Sequence, residues 1–306
     1  MHRLLKAAGF LAAGAAALIL IAAAAVYGFS EVRYRKQYTV DARPIVVPSD
    51  SVSLARGAHL AHSFGGCVEC HGDNLAGKVV FDDPAIGRVY GQNLTRGRGG
   101  IGAVLTDADI VRALRHGVGR NGRALKVMPS SDFANLTETD LAAIVAWVRS
   151  RPPVDTTQPP VQVGPVGRAL FVAGKLPMLH AERIDHTQSS AMTVTPSVTA
   201  DYGKYVAAVG CQGCHGTSLA GGPIPGGAPD WPPAANLTAA GSVKDWSEAA
   251  FANFLRTGLR PNGIPANPVM PIRMTKNLTD DEIQALWLYL KTVPTMPTGG
   301  LQTASR

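Results

Sequence analysis

At 306 residues the chain is long enough for about two ordinary domains, and 46% apolar with 17% charged residues is the balance of a folded protein, which excludes global disorder. A net charge of +7 and a pI near 9.4 favour acidic partners or membrane headgroups, and with no binding motif beside them they give no reason to expect nucleic acid. The 33 glycines and 22 prolines point to loop-rich domains rather than long bundles.

Residues 7–29 carry no charge. As a helix they would reach about 35 Å, enough for a hydrocarbon core of about 30 Å. Arg3 and Lys6 precede the run and Arg33, Arg35 and Lys36 follow it, so the charge balance does not fix orientation. Residues 1–36 are expected to form a retained membrane anchor. A signal peptide cleaved near Ala22–Ala25 competes, although the apolar region of such a peptide is usually shorter.

A short helix over 51–63 leads into Cys67-Val68-Glu69-Cys70-His71, and one over 200–209 leads into Cys211-Gln212-Gly213-Cys214-His215. Two thiols three residues apart can reach the two vinyl groups of one porphyrin, and the next residue presents an imidazole to the iron. The four cysteines are all used by this pattern. A four-cysteine zinc site would not require a histidine after each pair, and a thioredoxin-like pair needs a βαβ setting that is absent. Two covalently attached haem c groups are therefore expected, with Cys67, Cys70, Cys211 and Cys214 as attachment points and His71 and His215 as proximal iron ligands.

The remaining elements recur in both halves. Leu75-Ala-Gly matches Leu219-Ala-Gly, Asn93-Leu-Thr matches Asn236-Leu-Thr, and Leu114-Arg-His-Gly matches Leu255-Arg-Thr-Gly. Cys67 to Cys211 is 144 residues and Met128 to Met270 is 142, so the register drifts by only two across the copy. Thr106 with Asp109 opens a helix that Gly117 stops, and Ser247 and Gly258 bracket its counterpart. Thr279 with Glu282 is a capping box, and Thr137 with Asp140 its acidic counterpart. Leu141, Ile144, Val145 and Val148 give the last helix of copy one a 3.6-residue period. Gly57 and Gly203 on the first helices, with Trp147 and Tyr289 on the last, suit a close helix crossing in each copy.

These motifs resemble class I cytochromes c, in which the N- and C-terminal helices cross above the haem. The likeness covers about 50–154 and 198–297, and within the family it is closest to tandem di-haem cytochromes and the cytochrome subunits of membrane-bound alcohol and sugar-acid dehydrogenases. It implies an all-α fold: one N-terminal transmembrane helix, a cytochrome domain at 50–154, a linker at 155–197 and a second domain at 198–297. It also implies haem ligation on the outer side of a bacterial inner membrane, with the bulk of the chain in the periplasm.

The distal ligands come from the repeat. His59, His62 and His116 have no histidine counterpart in copy two, whereas Met128 and Met270 recur in equivalent loops, each stiffened by a following proline. Met274 is a rival to Met270. His/Met ligation raises the potential and fills the sixth iron position. The expected function is relay of single electrons between a quinol- or dehydrogenase-side donor and an acceptor such as a terminal oxidase. The chain is then an electron carrier, free or as part of a dehydrogenase complex, rather than an enzyme. A di-haem peroxidase-like reductase is the alternative, and it would need an iron open to peroxide.

Three further readings complete the sequence. Asn93 and Asn236 are candidates for haem propionate contacts. Arg88, Arg96, Arg98, Arg112, Arg115, Arg120, Arg123 and Lys126 form a basic stretch that could dock an acidic redox partner, or be a solvated face with one or two arginines on propionates. The linker, proline-rich at its start, has an apolar centre from Val166 to Leu179 that should pack against the domains.

Overall fold

The computed structural model describes residues 2–187 and 192–300; residues 188–191 of the expected linker lie outside them. A helix α1 (His2–Arg35) runs out from the body, and of its residues only Ser30 and Tyr34 are buried. Its 34 residues are long and apolar enough to cross a membrane. Copy one follows, with α2 (Ser51–His62), α3 (Cys67–His71), β1 (Lys78–Asp83), β2 (Gly87–Gly91), α4 (Asp107–His116), α5 (Ser130–Phe133) and α6 (Glu138–Ser150). The connection holds β3 (Gln162–Val163), α7 (Pro165–Val172) and a 3-10 turn at His180–Arg183. Copy two has α8 (Ala200–Gly210), α9 (Gln212–His215), α10 (Glu248–Thr257), α11 (Ile272–Thr275) and α12 (Asp280–Thr292).

The caps fall where the sequence puts them. Thr106 and Asp109 close a reciprocal box on α4, Thr279 and Glu282 close one on α12, and Gly117 and Gly258 end α4 and α10 in the left-handed region. Thr137 caps α6 through the Asp140 N–H, but no reciprocal bond is made, because the Asp140 carboxylate is taken by other partners.

In each copy the first and last helices cross at the expected glycine. A Cβ on Gly57 would strike the carbonyl of Ala143 and the Trp147 Cβ, and one on Gly203 would strike the carbonyl of Ala285 and the Leu286 N–H. Trp147 is thus the groove-filler expected in copy one. In copy two the Ala285 backbone makes the same close approach that Ala143 makes in copy one, and Tyr289, the expected counterpart of Trp147, lies partly buried against the main core.

The fold is mostly helical with one addition. β1, β2 and β3 form a small antiparallel sheet in that order. Copy two has a loop of similar length, yet Pro223, Pro225, Pro229, Pro232 and Pro233 deny it ladder donors, and among its described residues a single bridge, Gly222 to Ala234, remains.

The linker centre packs as expected, and its partners are copy one and α1. Phe171 stacks on Tyr34 at 5.1 Å, and Met178 and Leu179 join the same small core. Val127, at φ 71°, donates to the Met178 carbonyl, so the linker clasps the loop that precedes Met128.

A second interface joins the copies, and it is pseudo-symmetric. Arg56 and His59 on α2 occupy the places of Tyr202 and Tyr205 on α8, while Asp140 and Glu282 occupy the third positions of α6 and α12. Arg56 grips Asp140 with two bonds of 2.8 Å and reaches Glu282 at 3.1 Å. Tyr205 donates to Asp140 at 2.6 Å, Tyr202 donates to Glu282 at 3.2 Å, and His59 Nε2 lies 2.9 Å from Glu282. Burial pushes the Glu282 carboxyl up, but His59, the Thr279 N–H and Arg56 together hold it below its usual range.

Candidate functional site

Each Cys-x-x-Cys-His segment is a single helical turn after the first helix of its copy. The next residues are glycine and then, three on, a leucine in the left-handed region: Leu75 at φ 59° and Leu219 at 57°, both fully buried. A strained, non-glycine conformation kept in both copies marks a backbone held by its surroundings. Each leucine also accepts a bond from the extended Asn-Leu-Thr segment, Leu94 to Leu75 and Leu237 to Leu219, both at 2.8 Å.

The residue before that segment orients the histidine. His71 Nδ1 donates to the Gln92 carbonyl at 2.8 Å, and His215 Nδ1 donates to the Ala235 carbonyl at 2.8 Å. Burial lowers the pKa of both imidazoles, favouring the neutral ring, and the carbonyl fixes the proton on Nδ1 so that Nε2 keeps its lone pair. Gln92 and Ala235 immediately precede Asn93 and Asn236, which explains the repeated motif.

The propionate reading of Asn93 and Asn236 is therefore corrected. The Asn93 amide donates to Val154 and Thr156 carbonyls, and its oxygen accepts from the Thr95 N–H and hydroxyl. Asn236 donates to the Met296 carbonyl and accepts from Thr238 in the same way. Both ends of each amide are spent on protein, tying the chain that follows the last helix to the histidine's carbonyl.

Burial pushes the Cys67 and Cys211 thiols up to about 12 and also raises Cys70 and Cys214. No cysteine is in a disulfide. Burial of this kind disfavours the free thiolate that a redox pair would use.

Met128 and Met270 lie half-buried against the main core, in equivalent Met-Pro turns where Ser130 and Ile272 donate back to their carbonyls at 2.8 Å. One arginine pins the chain after each turn. Arg115 donates to the carbonyls of Ala134 and Leu136, and Arg256 to those of Lys276 and Leu278. The rivals are engaged elsewhere. His59 is on Glu282, His62 bonds its own helix at Ala58 and packs on Trp147, and His116 meets His186. Met274 lies across the seam, its methyl 2.6 Å from where a Cβ on Gly66 would stand.

The basic stretch is partly neutralised. Arg88, Arg98 and Arg112 pair with Asp82, Asp155 and Asp109, and Arg115 is structural as described. Arg96, Arg120 and Arg123 remain exposed, and Lys126 sits over the Tyr34 ring.

The seam brings each cysteine segment against the other copy. Glu69, between Cys67 and Cys70, pairs with Arg273 on α11 at 2.8 Å. Across the pseudo-axis, Gly213, between Cys211 and Cys214, faces the Asp132 carboxylate on α5, 2.7 Å from where a Cβ would stand. These contacts join positions far apart in sequence, and no local pattern marks them.

The cytochrome c family model matches residues 54–152 and 200–294. The chain belongs to the cytochrome c family. It is 29% identical over 268 residues to a nicotinate dehydrogenase subunit of Pseudomonas putida, covering 80% of this chain and 22% of that protein. It is 29% identical over 276 residues to the cytochrome c subunit of the alcohol dehydrogenase (quinone) of Gluconacetobacter polyoxogenes, covering 81% and 58%. With a diheme cytochrome c-type protein of Cereibacter sphaeroides it shares 28% identity over 261 residues, covering 75% and 82%. The chain thus spans less than two thirds of the first two relatives. Two cytochrome c segments and the di-haem relative make its cofactor two covalently bound haem c groups. The donor set fits them: two cysteines outside any disulfide beside an imidazole whose Nδ1 is engaged by a carbonyl, once in each cytochrome c segment.

Proposed function

We propose that this cytochrome c is a membrane-anchored, periplasmic relay that passes single electrons from a dehydrogenase- or quinol-side donor to a respiratory acceptor. Cys67 and Cys70 would attach one haem and Cys211 and Cys214 the other, with His71 and Met128, and His215 and Met270, as the residues that would hold the two irons. The cytochrome domains occupy 50–154 and 198–297, joined by the linker at 155–197, and residues 1–36 are the anchor. The observation that carries this reading is the equivalence of the two half-sites: in both, a carbonyl fixes the histidine and an arginine pins the chain after a Met-Pro turn.

The haem iron supplies the one-electron couple, and the protein supplies rigidity and access. Gln92 and Ala235 keep their histidines in one tautomer, so oxidation demands little rearrangement. As ligands, the Met128 and Met270 thioethers would favour ferrous iron and leave no position open to a substrate. Cross-seam contacts at Glu69–Arg273 and Gly213–Asp132 bring both attachment segments to the domain interface, which suits transfer between them. The relatives named as parts of alcohol and nicotinate dehydrogenases make a dehydrogenase the favoured donor.

Carbon monoxide tests the relay against an enzyme. The oxidised full-length protein is expected to take up two electrons per chain and, once reduced, to form no carbon monoxide adduct and not turn over peroxide. Stoichiometric binding at either haem would reveal an open iron and overturn the relay.

A further inference from the structure

Beyond the anchor, the structure places a second apolar element at the level where α1 would leave a bilayer. The apolar run of α1 ends at Phe29 and the first charge after it is Glu31, so Tyr27 to Glu31 marks the headgroup zone. Arg168 of α7 meets this level. Its guanidinium lies 4.7 Å from the Tyr27 ring, donates to the Ser30 hydroxyl at 2.7 Å and pairs with Glu31 at 3.4 Å. One turn further along, Phe171 stacks on Tyr34, and its carbonyl accepts from Arg33. Contacts that advance together along both helices mean that α7 runs parallel to α1. Its first turn, Pro165 and Val166, therefore points back toward the apolar part of the anchor.

The tip of the β1–β2 hairpin is fastened to that turn. Val166 donates to the Ala85 carbonyl at 2.9 Å, Gly164 donates to the Ile86 carbonyl at 3.0 Å, and Gly167 packs against Ile86 without room for a side chain. Pro84, Ala85 and Pro165 are exposed, as is Val166 at 47%. The Asp83 carboxylate turns inward to accept from the Ala85 and Ile86 N–H groups, which removes backbone donors that lipid could not satisfy. Asp82 and Arg88 pair just above the tip and limit how deep it can go.

We propose that the hairpin tip, Pro84 to Ile86, and the first turn of α7 form a shallow foot in the phospholipid headgroup–acyl boundary, beside α1. The occupant is the lipid bilayer itself, because the foot is continuous with the membrane helix and shares its level, and the inference rests on reading α1 as an anchor. Small apolar groups at the tip and an arginine whose guanidinium lies over the Tyr27 and Tyr34 rings are what an interfacial contact requires. The foot would hold the first cytochrome domain in one orientation on the membrane, where a lone helix would leave it free to swing.

The test uses the full haem-loaded chain in nanodiscs of phosphatidylcholine and phosphatidylglycerol. Single spin labels are placed through Ala85→Cys, Val166→Cys, Leu18→Cys and Lys204→Cys, and an unchanged haem spectrum certifies each fold. Labels at 85 and 166 are expected to collide several-fold less with a water-soluble nickel chelate than the label at 204, and to favour oxygen, as the label at 18 does more strongly. If 85 and 166 match 204 while 18 stays oxygen-favoured, the foot is wrong and the anchor stands. If 18 also behaves as water-exposed, the anchor reading fails and the foot falls with it.

Discussion

Replacing Arg56 with methionine is expected to uncouple the two cytochrome domains and cost about 3–5 kcal/mol, the usual effect of removing one partner from a buried ion pair. Among the described residues Arg56 is the only cation that bonds both carboxylates of the seam, and it also donates to the Tyr202 hydroxyl at 3.0 Å. Without it Asp140 and Glu282, 6% and 2% exposed, face each other across the seam. Tyr205 and His59 still bond them, but the charge at Asp140 is left uncompensated. Denaturation followed at the haem bands should change from one transition to two. Adding Asp140→Asn and Glu282→Gln removes the stranded charges and should recover much of the loss. A single transition with unchanged midpoint in Arg56→Met would show that the seam is ornamental. The seam also has a pH sign. Because the folded-state pKa of Glu282 is depressed, its contribution is full above the ordinary carboxylate range and is lost as pH falls through the depressed value.

Asp132 should set the pH dependence of the second haem. Burial pushes its carboxyl up to about 6, against the pull of Arg183 and of the Ser131 hydroxyl 3.4 Å away. The groups around it are Arg183 and His180 of the 3-10 turn, with His180 bonded to Ser131, and the Cys211–Cys214 segment. Oxidising the haem on that segment adds positive charge beside the carboxylate, so the carboxyl is more acidic in the oxidised protein. The midpoint then falls as pH rises through the interval between the two values, by about 59 mV for each unit of separation. In Asp132→Asn that midpoint should be flat and, above pH about 6, higher by about 30–60 mV. The other haem should be unmoved, and Asp132→Glu should restore the slope. Potentiometry of the full chain against pH reads all of this; a wild-type slope in the asparagine variant would refute it.

Much of the architecture was legible because its signals are local or repeated. The cysteine spacing, the Thr106–Asp109 and Thr279–Glu282 boxes and the Gly57 and Gly203 crossings are short-range rules applied twice. The sequence failed where a distant partner decides. Thr137–Asp140 matches the box pattern, yet Arg56 and Tyr205 take the carboxylate. Asn93 and Asn236 were visible as a repeat but not in role, because their partners, Val154 and Met296, lie about sixty residues on. Arg98 read as a free cation until Asp155 came beside it. The hairpin was readable in principle, from Val79, Val80 and Phe81 against Val89 and Tyr90, but the helical repeat masked it.

The central claim is two closed irons, each held by a histidine and a methionine. Near-infrared magnetic circular dichroism of the oxidised full chain tests it most directly. Two methionine–iron charge-transfer bands per chain are expected, one lost in Met128→Ala, the other in Met270→Ala, and neither in Met274→Ala. A high-spin or bis-histidine centre in the wild type, or a band that disappears with Met274, would contradict it.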